Sequence, residues 1–342
     1  MASFHSSYRN NPFQILQKLV NIPNLVNEET REEEYVRILE IVREILFDNE
    51  EWKAVTRADV FIKPLLGGIT NQLLLIQKLD ATSSSQKIVF RLFGGNTVDF
   101  INRFMENIAF SNLSKLGCGP IFYGVFMNGR IEGFLNGTNL LPNEMTKAPN
   151  NLKIAAAVAN LHHLQIPELH YLSSLTLAEI DQMDKSKFLS LLEEKKGSYP
   201  SNQWLWKKLR LFFELSSNLH FPNENQQQKY QSLQMDKMFQ EFLWFEGRVQ
   251  SIRYDLISAV TSPSFQSLTS AEQDRIKGRL YALDEVLCHN DLLSGNIMAI
   301  LPEGMSAGTD TDKTIRLIDF EYAGYNYRGY DISNHFCGKY IN

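Results

Sequence analysis

Cysteine is scarce in this chain: Cys118, Cys288 and Cys337 are the only three in 342 residues. They are odd in number and far apart, which argues against a disulfide framework or a zinc-ligand cluster and fits a reducing compartment. No apolar run approaches the roughly 20 residues needed to span a bilayer, and the polar stretch Met1 to Pro12 lacks the apolar core of a signal peptide. The expectation is a cytoplasmic protein without stable membrane insertion. Basic excess is missing as well. With 34 Lys and Arg against 39 Asp and Glu, the formal net charge is −5, and nothing favours a nucleic-acid partner. Gly-x-Ser-x-Gly, P-loop and dinucleotide fingerprints are also absent, and no internal repeat is found.

What is present is an ordinary globular composition, 44% apolar and 21% charged, long enough for two lobes sharing a cleft. Glu28 to Phe47 has apolar residues at helical spacing, with Thr30 and Glu33 in a capping-box pattern and Glu32, Glu33 and Glu34 read as a solvated face. Short apolar runs at 60–65, 73–76 and 88–93 predict strands, and 101–116 predicts a helix stopped by Gly117. A hairpin over 121–126 and 130–135 closes at Asn128-Gly129. The rest is mostly helical (151–164, 185–195, 204–219, 234–258), with 220–231 read as a polar loop and short strands at 286–288, 297–300 and 315–318. The fold class is α+β. Three parts are expected: an N-terminal helical segment (1–58), a mostly β lobe (59–136) and a larger helical lobe (137–342).

The chemistry concentrates in Leu287-Cys288-His289-Asn290-Asp291-Leu292-Leu293-Ser294-Gly295-Asn296. The spacing His-x-Asp-x₄-Asn suits a loop that holds the Asp291 carboxylate beside an attacking hydroxyl while the Asn296 amide oxygen meets magnesium. Downstream, the strand Ile315 to Ile318 ends in Asp319-Phe320, placing a second carboxylate at the same cleft; Glu321 follows where kinases of proteins have glycine. Upstream, Gly67, Gly68, Thr70 and Asn71 lie between two strands, where backbone N–H groups and a hydroxyl meet phosphate oxygens. Two glycines alone more often make a simple hairpin. Arg91, set among apolar neighbours in a strand, is expected to reach ATP phosphates while Glu106 on the next helix pairs with it. His162 and His163 are expected in packing or caps. Trp204, Trp206 and Trp244 are expected mainly in the core, with one free to line a substrate pocket.

Three stretches together resemble the choline/ethanolamine kinase family: Gly68-Ile69-Thr70-Asn71, His289 to Asn296, and Ile318-Asp319-Phe320-Glu321-Tyr322 through Ile332 with Asn334-His335-Phe336. The resemblance runs from about Leu65 to Phe336. It implies a protein-kinase-like two-lobe fold, with the nucleotide in the 59–136 lobe, that uses ATP and Mg²⁺. Asp291 is then the catalytic base, Asn296, Asp319 and Glu321 meet the metal, and Arg91 takes the place of the usual lysine at the phosphates. Leu135 offers backbone groups to adenine, and Tyr322 faces the substrate with Asp291 and Glu321. The motif details resemble the ethanolamine branch, which implies phosphorylation of ethanolamine as the first step of phosphatidylethanolamine synthesis. Choline remains an alternative acceptor, as does an aminoglycoside-type alcohol. The family continues beyond Phe336 with an acid where Gly338 stands, so a catalytically impaired member is a further alternative. The oligomeric state is left open, a homodimer included.

Overall fold

Alternating apolar residues build the first layer. In this computed structural model, which describes residues 8–65, 71–79, 81–94, 101–184, 187–194, 204–302 and 312–338, strands β1 (Ile15–Leu16), β2 (Val60–Leu65), β3 (Asn71–Lys78), β4 (Lys87–Phe93), β5 (Phe122–Phe126) and β6 (Gly129–Gly133) form one sheet. Its order is β1-β5-β6-β4-β3-β2, antiparallel except for β1 beside β5. Ile62 pairs with Ile76 and Ile76 with Ile88, so one face is continuously apolar. Helices α1 (Ile22–Val26) and α2 (Arg31–Ile45) cover it, burying Ile38, Ile41, Val42 and Ile45. The first part of the chain thus shares one core with the sheet. Gly129 is required by close approach: a Cβ there would stand 2.1 Å from the Arg91 carbonyl oxygen of β4.

Helix α3 (Arg103–Lys115) links β4 to β5, capped by the Asn102 side chain accepting from the Met105 N–H. Gly117, at φ +70°, follows it as the sequence predicts. A three-stranded sheet then joins β7 (Gly137–Asn139) to strands near the end of the chain. Between them run α4 (Pro142–Met145), α5 (Asn150–His163), α6 (Pro167–Ser173), α7 (Leu177–Gln182), α8 (Phe188–Glu194), α9 (Trp204–Ser217), α10 (Glu224–Ser232), α11 (Met235–Thr261) and α12 (Ser270–Ala282). Strand β8 (Glu285–Cys288) precedes β9 (Ile297–Ile300) and β10 (Thr314–Leu317); β9 lies between β10 and β7, and β8 pairs with β11 (Gly324–Tyr327). Helix α13 (Arg328–Gly338) follows. The core of this lobe packs α3, α5 and α6 against Leu287, Leu292, Ile297 and Phe320. No helix among the described residues is long and apolar enough to cross a membrane.

Four local expectations are corrected. Thr30 makes no cap to α2, because its hydroxyl donates to the Asn24 carbonyl instead. Glu34 is buried rather than solvated, accepting from Asn21 N–H and Asn24 Nδ2. The polar stretch 220–231 is largely helix α10, capped by Asn223 and made of good helix formers without a buried face. Trp244 is 70% exposed, not core.

Candidate active site

Strand β8 delivers His289, Asn290 and Asp291 to the cleft, and a single buried carboxylate fixes their backbone. Asp331 accepts from His289 N–H (2.9 Å) and Asn290 N–H (2.8 Å), and its Oδ2 lies 3.1 Å from His162 Nε2. Burial pushes Asp331 toward the neutral acid, but the His162 hydrogen bond, the His289 charge and the two backbone donors outweigh it and hold its pKa below the usual range. Asn290 adopts φ +66°. This left-handed conformation suits Asn, and its side chain secures it by donating to the Tyr322 carbonyl (2.9 Å) and accepting from Asn326 Nδ2 (2.7 Å). His162 is therefore a structural partner of the loop, as packing predicts, while His163 turns back to the Ala159 carbonyl.

The second carboxylate arrives on the turn after β10. His289 Nε2 lies 2.8 Å from the Ile318 carbonyl, and Ile318 N–H donates to the Asn296 carbonyl at 3.0 Å, tying the two loops together. Asp319 has φ +63°, a strained region for a non-glycine residue. Asn296 Nδ2 donates to the Asp291 carbonyl (2.8 Å) and to Asp291 Oδ2 (3.0 Å), which orients its own amide oxygen away from Asp291. Burial raises the Asp291 pKa, with Asp319 and Asp331 adding like charge against the opposing His289. Glu321 is pushed up to about 7 by burial, then by Asp319 and Glu106. Carboxylates crowded in this way suit a divalent cation.

Arg91 sits buried in β4 with Nη1 3.4 Å from Asp319 Oδ1. Its expected partner is corrected: Arg91 Nε pairs with Glu132 at 2.6 Å, and Glu106 pairs instead with Arg130 (2.5 Å) and Arg103 (2.6 Å). The reason is register. Arg91 stands opposite Arg130 across β4 and β6, and Glu132, two residues along β6 on the same face, bridges both guanidiniums. Asn71, at the start of β3, donates to Glu321 Oε2 (3.3 Å) and accepts from Arg103 (3.1 Å). Leu135 lies half-buried in the connection between β6 and β7, the crossing between lobes. Gly67, Gly68 and Thr70 fall outside the described residues.

Glu321 and Tyr322 open onto a cavity of about 360 Å³, largely apolar and walled by Trp204, Leu211 and Ile180. Trp206 is core, so of the tryptophans expected inside, Trp204 is the one at the pocket. Burial and Glu321 raise the Tyr322 hydroxyl to about 12. Lys208, missed in the sequence, lines the same cavity; burial lowers its pKa to about 8, and its Nζ lies 6.0 Å from the Tyr322 ring centroid. Asp331, Arg103, Arg130 and Glu132 were missed too. The alternation of Arg130 and Glu132 on one strand face was the available signal.

A family model described as choline/ethanolamine kinase matches residues 62–342. A probable ethanolamine kinase of Arabidopsis thaliana is 28% identical over 300 residues, covering 88% of this chain and 61% of that protein. Probable ethanolamine kinase B of Dictyostelium discoideum is also 28% identical, covering 89% and 64%. The chain thus spans less than two thirds of the length of these relatives. The solved Plasmodium vivax ethanolamine kinase superposes with a TM-score of 0.57 at 23% identity, over 96% of this chain and 75% of that one. The fold is protein-kinase-like, as the resemblance implied. With the match covering most of its length, the chain belongs to the choline/ethanolamine kinase family.

Proposed function

We propose that this chain transfers the γ-phosphoryl group of ATP to the hydroxyl of ethanolamine, giving phosphoethanolamine. The observation that carries the reading is the meeting of Asp291, Asn296 and Asp319 on two loops tied together through His289, Ile318 and Asn296. The relatives named ethanolamine kinases support the choice of acceptor.

The donor set fits magnesium: Asp319 and the Asn296 amide oxygen are hard oxygen ligands, and Glu321, whose pKa is raised by burial and then by Asp319 and Glu106, stands beside them. When bound, magnesium neutralises the phosphate charge that would repel the acceptor oxygen. The protein's own part is positioning. Asn296 Nδ2 holds one oxygen of Asp291, which leaves the other to accept the hydrogen of the acceptor hydroxyl. The acceptor oxygen then bonds to the γ-phosphorus as the bridge to ADP breaks, and the proton ends on Asp291, whose raised pKa suits that task. Arg91 is assigned to the phosphates, with Glu132 and Glu106 behind it. The loop of Gly67, Gly68, Thr70 and Asn71 is assigned there by its place between β2 and β3. Leu135 is assigned to adenine. Glu321 and the Tyr322 ring are assigned to the substrate ammonium. Lys208 beside that ring narrows the aromatic face, which suits a primary ammonium better than a trimethylated one.

An ADP-release assay with ethanolamine, with choline and without acceptor tests the reading, with phosphoethanolamine identified as product. Ethanolamine-dependent ADP release is expected. Equal ADP release with and without every acceptor would sink it.

A further inference from the structure

A ring of charge connects the two acids of the Asp319-Phe320-Glu321 turn through the first lobe. Arg91 Nη1 lies 3.4 Å from Asp319, and Arg91 Nε and Arg130 Nε each donate to Glu132 Oε1 at 2.6 Å. Arg130 Nη1 meets Glu106 at 2.5 Å, Glu106 meets Arg103 at 2.6 Å, and Arg103 Nη1 reaches Glu321 at 4.0 Å. Signs alternate at every step.

Stability does not account for the ring. Arg91 and Arg130 stand directly opposite each other in the sheet, a placement of like charges that weakens a ladder. Arg130 is fully buried, its Nη2 has no hydrogen-bond partner among the described residues, and its guanidinium lies over the Phe110 ring at 4.4 Å. Replacing such buried ionic groups by apolar side chains is often neutral or stabilising. A role beyond folding is needed.

We infer that Arg130 and Glu132 are positioning residues that link nucleotide binding at Arg91 to acceptor binding at Glu321, making the two cooperative. The inference rests on the proposed function, which puts phosphates at Arg91 and the ammonium at Glu321. Phosphate oxygens draw Arg91 away from Glu132, so Glu132 holds Arg130 more strongly. Arg130 then gives up part of its hold on Glu106. Glu106 in turn holds Arg103 more strongly, and Arg103 loosens from Glu321. The Glu321 carboxylate, still held by Asn71 but less by Arg103, then has more of its charge available to a cation, so nucleotide tightens acceptor. By linkage, acceptor tightens nucleotide by the same factor.

The test is calorimetric titration of ethanolamine into the full chain, with and without saturating Mg·ADP. On the wild type, Mg·ADP is expected to tighten ethanolamine by at least about fivefold, the low end of ordinary coupling. In Arg130→Met/Glu132→Gln, which removes one charge of each sign, the tightening is expected to fall within about twofold with the melting temperature retained. Should the double variant unfold, Glu132→Asp, which keeps the charge but shortens the reach that bridges Arg91 and Arg130, is expected to lose most of the tightening. Arg130→Lys, which keeps the central charge, is expected to retain part of the effect. Full tightening in the double variant or in Glu132→Asp, or none in the wild type, overturns the inference. A wild type that neither binds nor phosphorylates ethanolamine sinks the proposed function and this inference with it. Turnover of ethanolamine without nucleotide-dependent tightening sinks this inference alone.

Discussion

Removing the Asp331 carboxylate is the perturbation whose size the structure sets most directly. Three groups point at it: the N–H groups of His289 and Asn290, and the His162 ring. Asp331 itself is fully buried, so no solvent replaces it in Asp331→Ala without rearrangement. Breaking one side of a buried, hydrogen-bonded charge costs about 3–5 kcal/mol, and each stranded backbone donor accounts for about 1–3 kcal/mol of that. Urea denaturation followed by fluorescence should register a loss of that size. The folded fraction should also turn over about a hundredfold more slowly, the effect of roughly 1 Å of misplacement at a catalytic group. Acid sensitivity provides a second reading. A carboxylate held below its ordinary 3.8 stabilises the fold above that value, and the contribution is lost as pH falls through the depressed folded value. Asp331→Asn should therefore be less stable at neutral pH yet lose less on acidification from pH 5 toward 3. An alanine variant within about 1 kcal/mol of wild type, below the cost of one stranded donor, would refute the reasoning.

Asp291→Asn should keep Mg·ADP affinity by calorimetry and lose about 10²–10⁴-fold in turnover, and retention of a tenth of the activity would remove it as base. Asp319→Ala should abolish turnover or shift the magnesium titration strongly, with Asn296→Ala milder; titrations overlaying wild type would contradict the ligand assignment. Lys208→Met should lower the acceptor KM by about two- to thirtyfold, the worth of a cation–π face of about 0.5–2 kcal/mol returned to the ligand. Because burial sets the Lys208 pKa near 8, the wild-type acceptor KM should fall as pH rises through that value and the charge is lost. The variant should lack that step, and identical pH profiles would exclude Lys208 from the pocket's electrostatics.

Local sequence patterns and the structure agree where one element decides the outcome. Val60–Leu65, Lys87–Phe93 and Arg103–Lys115 form from their own periodicity, and the His289–Asp291–Asn296 spacing identifies a loop whose geometry is set within eight residues. Partner choice is a different matter. Glu106 and Arg91 looked paired because strand and helix are neighbours in sequence, but the β4–β6 register brings Glu132 closer, and register is not written in either strand alone. Asp331 lies 42 residues beyond His289, visible as part of a motif but without a role until the chain returns to β8. Helix α10 escaped because a helix with no buried side displays no apolar period. Lys208 escaped because a lysine on an amphipathic helix ordinarily faces water; only the packing of α9 against the Tyr322 turn puts it inside.

The two halves of the site are held by different forces, and that difference bears on how they work. The half around Asp291 is locked by short-range hydrogen bonds: Asp331 to two N–H groups, Asn290 to the Tyr322 carbonyl, His289 to the Ile318 carbonyl. These bonds hold two left-handed residues, Asn290 and Asp319, in conformations that would otherwise relax, so the Asp291 loop is set before any ligand arrives. The charge half consists of long side chains whose positions depend on where neighbouring charge lies. Arg91 rests 3.4 Å from Asp319, and Glu321 rests between Asn71 and Arg103. Under the proposed function, phosphates and a metal ion would change that balance directly. Under the proposed function, a fixed Asp291 carboxylate beside side chains that answer to bound charge lets binding reorganise electrostatics without moving the group assigned the proton, the division of labour that phosphoryl transfer asks for.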